Sequence, residues 1–438
     1  MPDVRMHGFV RRHTVAAALA WLDAQLRTLD GEDVPLRAAA GRVLAVSITS
    51  DIDIPGFDRS TMDGYAVVAD STEGATPYNR VPLTVIGDAL PGSPFARSIA
   101  RGEAVRIMTG APMPAGSDAV LPAESVERDA DAPARVLAVA EVSPLKNVGH
   151  RGEDIVAGTT VLEPGRVLRP QDVGVISSIG IDRVRVVRQP RVRLVITGNE
   201  LLPSGSRPRA YQITDANGPM LAALAERDGA IVTFPGLVPD SATEIEAALV
   251  GPVLSPLDDA RGDPELVEGS DGPDSDIVIV SGGSSVGIED LAPMLVAKHG
   301  ELAVHGIAMR PSSPTGLGRI GDRVIFLLPG NPVSALCAYD FFAGRAIRAL
   351  GGRSKEWPYR KMRGTLTRKI SSPIGRLDYA RVRVDPSTAL GTSARVEPLA
   401  VAGASVLSST TRADGFVIVG DDSEGFAADA EVDVWLYA

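Results

Sequence analysis

The chain has 438 residues, a formal net charge of −11 at pH 7 and one cysteine, Cys337. A chain of this length is too long for one hydrophobic core and should divide into about three or four domains. Its acidic balance argues against nucleic acid or an anionic membrane surface as a partner. A lone cysteine excludes a disulfide framework, and no apolar run approaches the length of a membrane span. We therefore expect a cytoplasmic protein.

The N-terminal segment predicts a helix. Residues 14–22 form an apolar run that Asp23 ends, and Thr14 stands where an N-cap is expected. Arg11 and Arg12 before this run superficially resemble a twin-arginine export signal, but no small-residue cleavage site follows. We interpret the segment as a helix capped by Thr14.

The next part of the chain predicts short strands and turns. A loop rich in Asp, Ser and Thr spans residues 53–67 and contains the turn signals Pro55-Gly56 and Asp63-Gly64. A long ordered loop of this kind is typical of a functional segment. The strands that follow indicate a small β domain: 81–86, 104–108, 119–122 and 134–139. Strands near 159–168 and a helix over 171–179 come next. In residues 183–193 arginine alternates with valine, which predicts a strand with a solvated basic face rather than a polyanion patch.

From residue 192 onward, strands and helices alternate, which predicts a parallel sheet with helices on both faces. The predicted strands are 192–196, 230–234, 277–280, 302–309 and 324–328. The predicted helices are 217–228, one opened by the capping box 241–244, 291–299, and one beginning at Val333. The acidic segment 250–276 is predicted to be a surface insertion. After residue 351, the five segments 359–370, 379–384, 394–401, 415–419 and 431–437 predict a small β-barrel or sandwich.

Four stretches follow predicted strands of the parallel sheet, where ligands bind in such sheets. They are 198–200, Asp240, 281–290 and 329–332. A glycine-rich turn leading into a helix can bind an anion through free backbone N–H groups, although the same pattern also suits an ordinary strand–helix turn. Carboxylates beside a phosphate site favour Mg²⁺ between them. Asp240 as a mere helix cap and Glu200 as a mere turn residue remain alternatives.

Several motifs together resemble the molybdopterin molybdenumtransferase (MoeA) family, which includes the gephyrin E domain. They are MDGYA at 62–66, RIMTGAP at 106–112, RGED at 151–154, SGGSSVG at 281–287, LPGNPVS at 328–334 and GRLDY at 375–379. They occur in order along almost the whole chain.

The resemblance implies an elongated homodimer of four-domain subunits with a central domain similar to MoaB and MogA. The implied domains are a connecting domain (31–50 and 150–187), a small β domain (51–149), the α/β domain (188–350) and a C-terminal β-barrel (351–438), with an N-terminal helix (1–30) packed on the α/β domain. In the family, adenylylated molybdopterin and molybdate react with Mg²⁺ to give molybdenum cofactor and AMP. The active site lies between the α/β domain of one subunit and the small β domain of the other. A MogA-type adenylyltransferase and molybdoenzyme-maturation proteins would be partners.

Residue by residue, the resemblance implies catalytic roles for Asp63, which would act in trans, and for Thr109, Glu200, Asp240 and Asp290. Asp240 and Asp290 would also bind Mg²⁺. The implied substrate-binding residues are Asp154, Ser281, Gly282, Gly283, Ser284, Ser285, Arg310, Ser312, Ser313, Pro329, Gly330, Asn331, Pro332, Arg376 and Ser405.

One departure from the family concerns the oxyanion. Family members usually carry Lys-Pro-Gly-Lys-Pro, with a further lysine upstream, where this chain has RPSSP at 310–314 and Gly306. Arg310 keeps one charge and can bind an oxyanion bidentately, and Ser312 and Ser313 offer neutral donors. Loss of two cations should weaken molybdate binding. The alternative is a paralogue that binds the pterin nucleotide or a partner protein without inserting molybdate.

Overall fold

The computed structural model describes residues 12–251, 275–282, 291–385, 394–400 and 403–437. The chain forms two compact units. The large unit comprises the described residues of Met1–Glu32, Gly41–Val43 and Val187–Ala438, and the small unit comprises Asp33–Ala40 and Leu44–Val186. Gly283, Ser284, Ser285, Asp290 and most of the acidic segment 250–276 lie outside the described ranges. The finer domain boundaries stay a prediction.

The small unit contains a six-stranded sheet with apolar side chains on both faces. Its strands, in spatial order, are Ala119–Pro122, Gly64–Val67, Glu103–Ile107, Val81–Ala89, Arg135–Ala138 and Val126–Arg128. Side chains alternate between the faces of a strand. Accordingly, Val67 and Ala104 belong to one hydrophobic core, whereas Ala66 and Val105 belong to another. The predicted β domain is therefore present, and its four predicted strands lie within a few residues of their predicted bounds, whereas Val126–Arg128 was not predicted.

A separate core in the small unit is built from shorter elements. Its strand pairs are Ile48–Thr49 with Thr160–Leu162 and Gly31–Pro35 with Arg183–Val187, most of whose residues belong to the small unit. Arg59–Ser60 pairs with Val148–Gly149 outside this core. The α-helix is Pro170–Ser178, and the 3₁₀ turns of the unit are Leu36–Ala38, Ala69–Thr72 and Ala123–Ser125. In the strand Arg183–Val187 the valines are buried and both arginines are exposed, as predicted for a solvated basic face. The rest of the prediction was wrong, because the predicted strand 183–193 breaks after Val187 and Arg193 is buried in the next strand, Arg191–Thr197.

The large unit is organised around a mixed sheet. Its strands, in spatial order, are Ile231–Thr233, Arg191–Thr197, Ile277–Ser281, Arg323–Leu328, Gly316–Ile320 and Glu301–His305, with Leu237–Val238 also pairing with Arg191–Thr197. The first four run parallel, and Gly316–Ile320 is antiparallel to both of its neighbours. The three central parallel strands are buried on both faces, which explains their continuous apolar sequences.

Helices cover both faces of this sheet, as predicted. Val15–Gln25, Asn217–Arg227, Pro332–Ala338 and Gly344–Leu350 contribute to the core that contains Leu194 and Phe326. Ala242–Val250 and Ala292–His299 contribute to the core on the opposite face, with Val195 and Ile325. A π-helical turn, Tyr339–Ala343, joins Pro332–Ala338 to Gly344–Leu350.

Two predictions for this sheet were wrong. The predicted strand 302–309 ends at His305, because Gly306 has φ +87°, and Met309–Arg310 instead pairs with a strand of the C-terminal barrel. The strand Gly316–Ile320 was not predicted, so the antiparallel edge of the sheet was missed.

The C-terminal part of the large unit is a closed five-stranded barrel, as predicted. Its strands, around the barrel, are Leu377–Val384, Ala394–Ala400, Arg360–Leu366, Glu431–Leu436 and Gly415–Val419, which pairs again with Leu377–Val384. The remaining elements of the large unit are Ile370–Ser371 paired with Gly425–Phe426, Leu201–Leu202 paired with Ile213–Thr214, and the helix Ser408–Thr411. Within the described ranges, no helix is both long and apolar enough to cross a membrane.

Candidate functional site

A cavity of about 570 Å³ lies at the carboxyl ends of the parallel strands in the large unit. We call it the sheet-edge cavity. It brings together eight of the sequence-predicted site residues: Glu200, Asp240, Ser281, Gly282, Gly330, Asn331, Pro332 and Ser405. They come from four strand ends and from a segment after the barrel strand Ala394–Ala400. Their meeting follows from the sheet, because parallel strands end at a common edge.

Two glycine-containing turns form the floor of this cavity and touch each other. Gly282 has φ +100°, and a Cβ atom there would lie 2.2 Å from the carbonyl oxygen of Thr197. A Cβ atom at Gly330 would lie 3.6 Å from the Cα of Gly282. Gly282 is therefore required, since a side chain at this φ would be strained and would strike the neighbouring strand.

Asn217, which sequence reasoning missed, ties these turns together. Its side-chain amide donates to Ser281 Oγ at 2.9 Å and to the Gly330 carbonyl oxygen at 2.8 Å. Because a carbonyl oxygen can only accept, the bond to Gly330 identifies which amide atom is nitrogen. Asn217 Oδ1 is buried in the same cavity and has no hydrogen-bond partner in the part of the chain described here. It is left to accept a hydrogen bond from a ligand.

Asp240 is held by a reciprocal pair of bonds with Asn199. The Asn199 N–H donates to Asp240 Oδ2, and the Asp240 N–H donates to Asn199 Oδ1, both at 3.1 Å. The other carboxylate oxygen, Oδ1, is buried and lacks a partner among the described residues. Glu200 is exposed and lines the same cavity. An orphaned buried carboxylate oxygen beside a second carboxylate suits a cation or a ligand donor.

A second cavity, of about 740 Å³, adjoins the first and shares Asn331 with it. We call it the arginine cavity, because Arg12, Arg310 and Arg376 line it together with Ser312, Ser313 and Pro329. Arg310 and Arg376 both bind Asp378, at 2.5 Å and 2.9 Å. Asp378 is fully buried. One carboxylate therefore fixes two guanidinium groups at the cavity wall.

The two serines of this cavity differ. Ser312 is buried with φ +90°, and its hydroxyl donates to the Ser334 carbonyl oxygen at 2.6 Å. The expectation that Ser312 offers a free donor is therefore wrong, because that donor is already used. Ser313 Oγ and Arg310 Nε are buried and have no partner within the described ranges. Both are donors available to an oxyanion.

In the small unit, Asp63 and Thr109 form a hydrogen-bonded pair. The Thr109 backbone N–H and hydroxyl both donate to Asp63 Oδ1, at 2.7 Å and 2.8 Å. These bonds, the backbone one foremost, hold the pKa of Asp63 below its usual value. Gly64 is needed after it, because a Cβ there would lie 2.1 Å from the Leu121 carbonyl oxygen. Both side chains are exposed, so an ionised carboxylate is presented to solvent.

Asp154 also lies in the small unit. It is exposed, and its backbone N–H donates to the Ile54 carbonyl oxygen at 3.0 Å. The described side chains show no hydrogen bond between Asp154 and either Asp63 or Thr109. The structure therefore brings Asp63 and Thr109 together without Asp154.

Family models match nearly the whole chain. The MoeA N-terminal region (domains I and II) matches residues 13–180, a "probable molybdopterin binding domain" matches 193–349, and the MoeA C-terminal region (domain IV) matches 363–437. A molybdopterin molybdenumtransferase 2 of Mycobacterium tuberculosis is 34% identical over 92% of this chain and 94% of its own length. A molybdopterin molybdenumtransferase of Haemophilus influenzae is 34% identical over 80% of each chain.

Solved structures agree with these matches. A crystal structure of the molybdopterin biosynthesis MoeA protein from Pyrococcus horikosii superposes with a TM-score of 0.75 and is 30% identical. The superposition covers 97% of this chain and 99% of that one. Similarity of this extent, in sequence and in fold, shows that the chain belongs to the MoeA family.

Proposed function

We propose that this protein is a molybdenum cofactor biosynthesis enzyme that transfers molybdenum to molybdopterin. Adenylylated molybdopterin and molybdate would be its substrates, and molybdenum-molybdopterin and AMP its products. The observation that carries the proposal is the pair of adjoining cavities, one lined by carboxylates, hydroxyls and glycine turns and the other by arginines. A nucleotide with a metal ion suits the first, and an oxyanion suits the second. The 34% identity to named molybdopterin molybdenumtransferases supports the same reaction.

The sheet-edge cavity would hold the pterin nucleotide. The turns at Ser281-Gly282 and Gly330–Pro332 expose backbone close to the ligand, and Ser405 adds a hydroxyl. Asn217 Oδ1 and Thr197 Oγ1 are further buried polar atoms of this cavity that lack partners among the described residues. They can accept hydrogen bonds from N–H groups of a heterocycle, such as the amino edge of a pterin.

The donor set of this cavity fits Mg²⁺. Among the described residues, no cluster of three His, Cys, Asp or Glu side chains could bind a metal without help. Mg²⁺ prefers one or two carboxylates completed by phosphate oxygens and water, and the orphaned Oδ1 of Asp240 beside Glu200 meets that preference. Asp240, with Asp290, would hold the ion. Bound there, Mg²⁺ would neutralise charge on the phosphoanhydride.

The arginine cavity would hold molybdate. Arg310 and Arg376 present cationic donors fixed by Asp378, and Ser313 adds a neutral donor. Because Asp378 compensates one of the two charges, the fixed pair offers less positive charge than two free cations would. Because both cavities are lined by Asn331, an oxyanion held in the arginine cavity would lie next to the nucleotide cavity, as a transfer between them requires.

Asp63 and Thr109 would act from the partner subunit of a homodimer. Because its pKa is lowered, the Asp63 carboxylate stays ionised at neutral pH and is a poor proton reservoir. Its proposed role is to orient water or a molybdate oxygen for attack at the pterin-side phosphorus: the new P–O bond forms there, the P–O bond of the anhydride breaks, and AMP leaves.

The test is AMP release from adenylylated molybdopterin with Mg²⁺ and graded molybdate. The proposal predicts saturable, molybdate-dependent release by the natural protein and its loss in Asp63→Asn, which keeps the size of the side chain. AMP release that does not depend on the molybdate concentration, or full turnover by Asp63→Asn, would contradict the proposal.

A further inference from the structure

The arginine cavity contains a third guanidinium group, from Arg12 near the start of the described chain. Its place is set by the backbone of its neighbour: the His13 N–H donates to the Gly306 carbonyl oxygen at 2.9 Å, and the Ala308 N–H donates to the His13 carbonyl oxygen at 2.7 Å. Ala308 itself lines the cavity. On the other side of His13, Thr14 caps the helix Val15–Gln25, which is packed in the main core. The position of Arg12 therefore does not depend on its own side chain.

Arg12 differs from the other two arginines in its contacts. Arg310 and Arg376 share Asp378, whereas the guanidinium of Arg12 is exposed and meets no ion-pair or hydrogen-bond partner in the part of the chain that the structure describes. Three cations thus face one buried carboxylate, and two positive charges are left uncompensated. One of these charges belongs to Arg12, whose side chain makes no hydrogen bond or ion pair with a described residue.

We propose that Arg12 is a substrate-binding residue that contacts the oxyanion in the arginine cavity and sets its affinity. The inference rests on the proposed function, in which that cavity takes molybdate. Molybdate is a dianion, and two uncompensated positive charges match it, whereas Arg310, Arg376 and Asp378 alone would supply one. Arginine at an exposed rim can also follow the anion into the cavity and donate through two N–H groups.

A charge series at position 12 tests the proposal: Arg12→Lys, Arg12→Gln and Arg12→Glu. The expected apparent KM for molybdate rises about tenfold in Arg12→Gln, equivalent to about 1.4 kcal/mol, and further in Arg12→Glu, while Arg12→Lys stays within about threefold of the natural protein. The KM for adenylylated molybdopterin and the kcat at saturating molybdate stay unchanged. Thermal stability also stays unchanged, because the side chain makes no hydrogen bond or ion pair with any described residue.

Arg27→Gln is the matched control. Arg27 is exposed, follows the same helix and is outside the arginine cavity, so the variant makes the same change in net charge without changing the cavity. Equal molybdate KM values for Arg12→Gln and Arg27→Gln at one ionic strength would overturn the inference. A rise in the KM for the pterin nucleotide alone would also overturn it, since Arg12 would then serve a phosphate.

Equilibrium binding of molybdate to the whole protein, without pterin nucleotide, separates this inference from the proposed function. If the natural protein binds molybdate but does not turn over, and Arg12→Gln weakens that binding about tenfold, the inference holds and the proposed function fails. If molybdate-dependent turnover is normal and Arg12→Gln binds molybdate as the natural protein does, the inference alone fails. Absence of molybdate binding to the natural protein would overturn both.

Discussion

Replacement of Asn217 by alanine tests whether one buried amide holds the two turns of the sheet-edge cavity together. The substitution removes the hydrogen bonds to Ser281 Oγ at 2.9 Å and to the Gly330 carbonyl oxygen at 2.8 Å. Gly330 is exposed, so its carbonyl can turn to water. Ser281 is buried and, among the described residues, would keep only the longer contact, at 3.4 Å, with the Pro329 carbonyl oxygen.

The magnitude follows from these contacts. Two neutral hydrogen bonds contribute about 0.5–1.5 kcal/mol each, and truncation of a buried side chain adds a small cavity term. We expect Asn217→Ala to lower the free energy of unfolding of the large unit by about 2–3 kcal/mol. Loosening the turns should also raise the KM for adenylylated molybdopterin about tenfold, because the ligand must then order them on binding.

Tryptophan fluorescence during urea unfolding is the assay, because Trp21, Trp357 and Trp435 all lie in the large unit. Gln189→Ala is the control: the Gln189 amide donates to the Gly229 carbonyl oxygen at 3.1 Å, and Gln189 lines neither described cavity. Gln189→Ala should lower the free energy of unfolding by about 1 kcal/mol and leave the KM for adenylylated molybdopterin unchanged. Asn217→Ala with natural stability and natural KM would refute the reasoning.

Three further predictions follow from the described contacts. Asp240→Asn should raise the Mg²⁺ concentration needed for half-maximal AMP release about tenfold, since it removes the charge from the orphaned oxygen; an unchanged Mg²⁺ dependence would contradict its assignment. Mixing subunits of Asp63→Asn and Glu200→Gln should restore about one quarter of natural turnover if the site is shared in a C2 dimer, whereas no recovery would place both residues in one subunit. Burial raises the pKa of Asp340 to about 6 in the folded protein, from an ordinary value of 3.8. Between about pH 4 and 6 the folded state therefore holds a proton that the unfolded state has released, and the free energy of unfolding falls as pH rises through this range. In Asp340→Asn the free energy of unfolding should depend less on pH, so that its difference from the natural protein changes by up to about 3 kcal/mol between about pH 4 and 6. Parallel pH profiles of the two proteins would count against this prediction.

The sheet-edge cavity could be predicted in outline because strand polarity dictates it. Ser281, Asp240 and the turn at Gly330 each follow a parallel strand, so they had to meet at one edge of the sheet. The role of Asn217 could not be predicted from strand polarity. Its bonds join the start of a helix to two turns from other parts of the chain, and the local signal was a polar Asp215-x-Asn217 pair at the start of that helix.

The missed strand and the misjudged serine both depend on contacts that the local sequence does not show. Glycine is depleted in strands, so Gly316–Ile320 resembled a turn. The glycine is needed because a Cβ at Gly318 would lie 2.3 Å from the Glu301 carbonyl oxygen of the adjacent strand. Ser312 looked like a free donor because the sequence does not reveal that its hydroxyl donates to the carbonyl oxygen of Ser334, in the helix Pro332–Ala338, which lies two strands further along the chain. Both errors concern contacts between segments distant in the chain.

The most direct test of the central claim is the stoichiometry of molybdenum incorporated into molybdopterin per AMP released. Purified protein would be incubated with adenylylated molybdopterin, Mg²⁺ and molybdate, and the pterin product would be analysed for molybdenum by mass spectrometry. The account predicts one molybdenum atom for each AMP, with both falling together in Asp63→Asn. AMP released without molybdenum in the pterin, or nucleotide bound without molybdate-dependent turnover, would contradict it and favour a paralogue that binds the pterin nucleotide without completing the transfer.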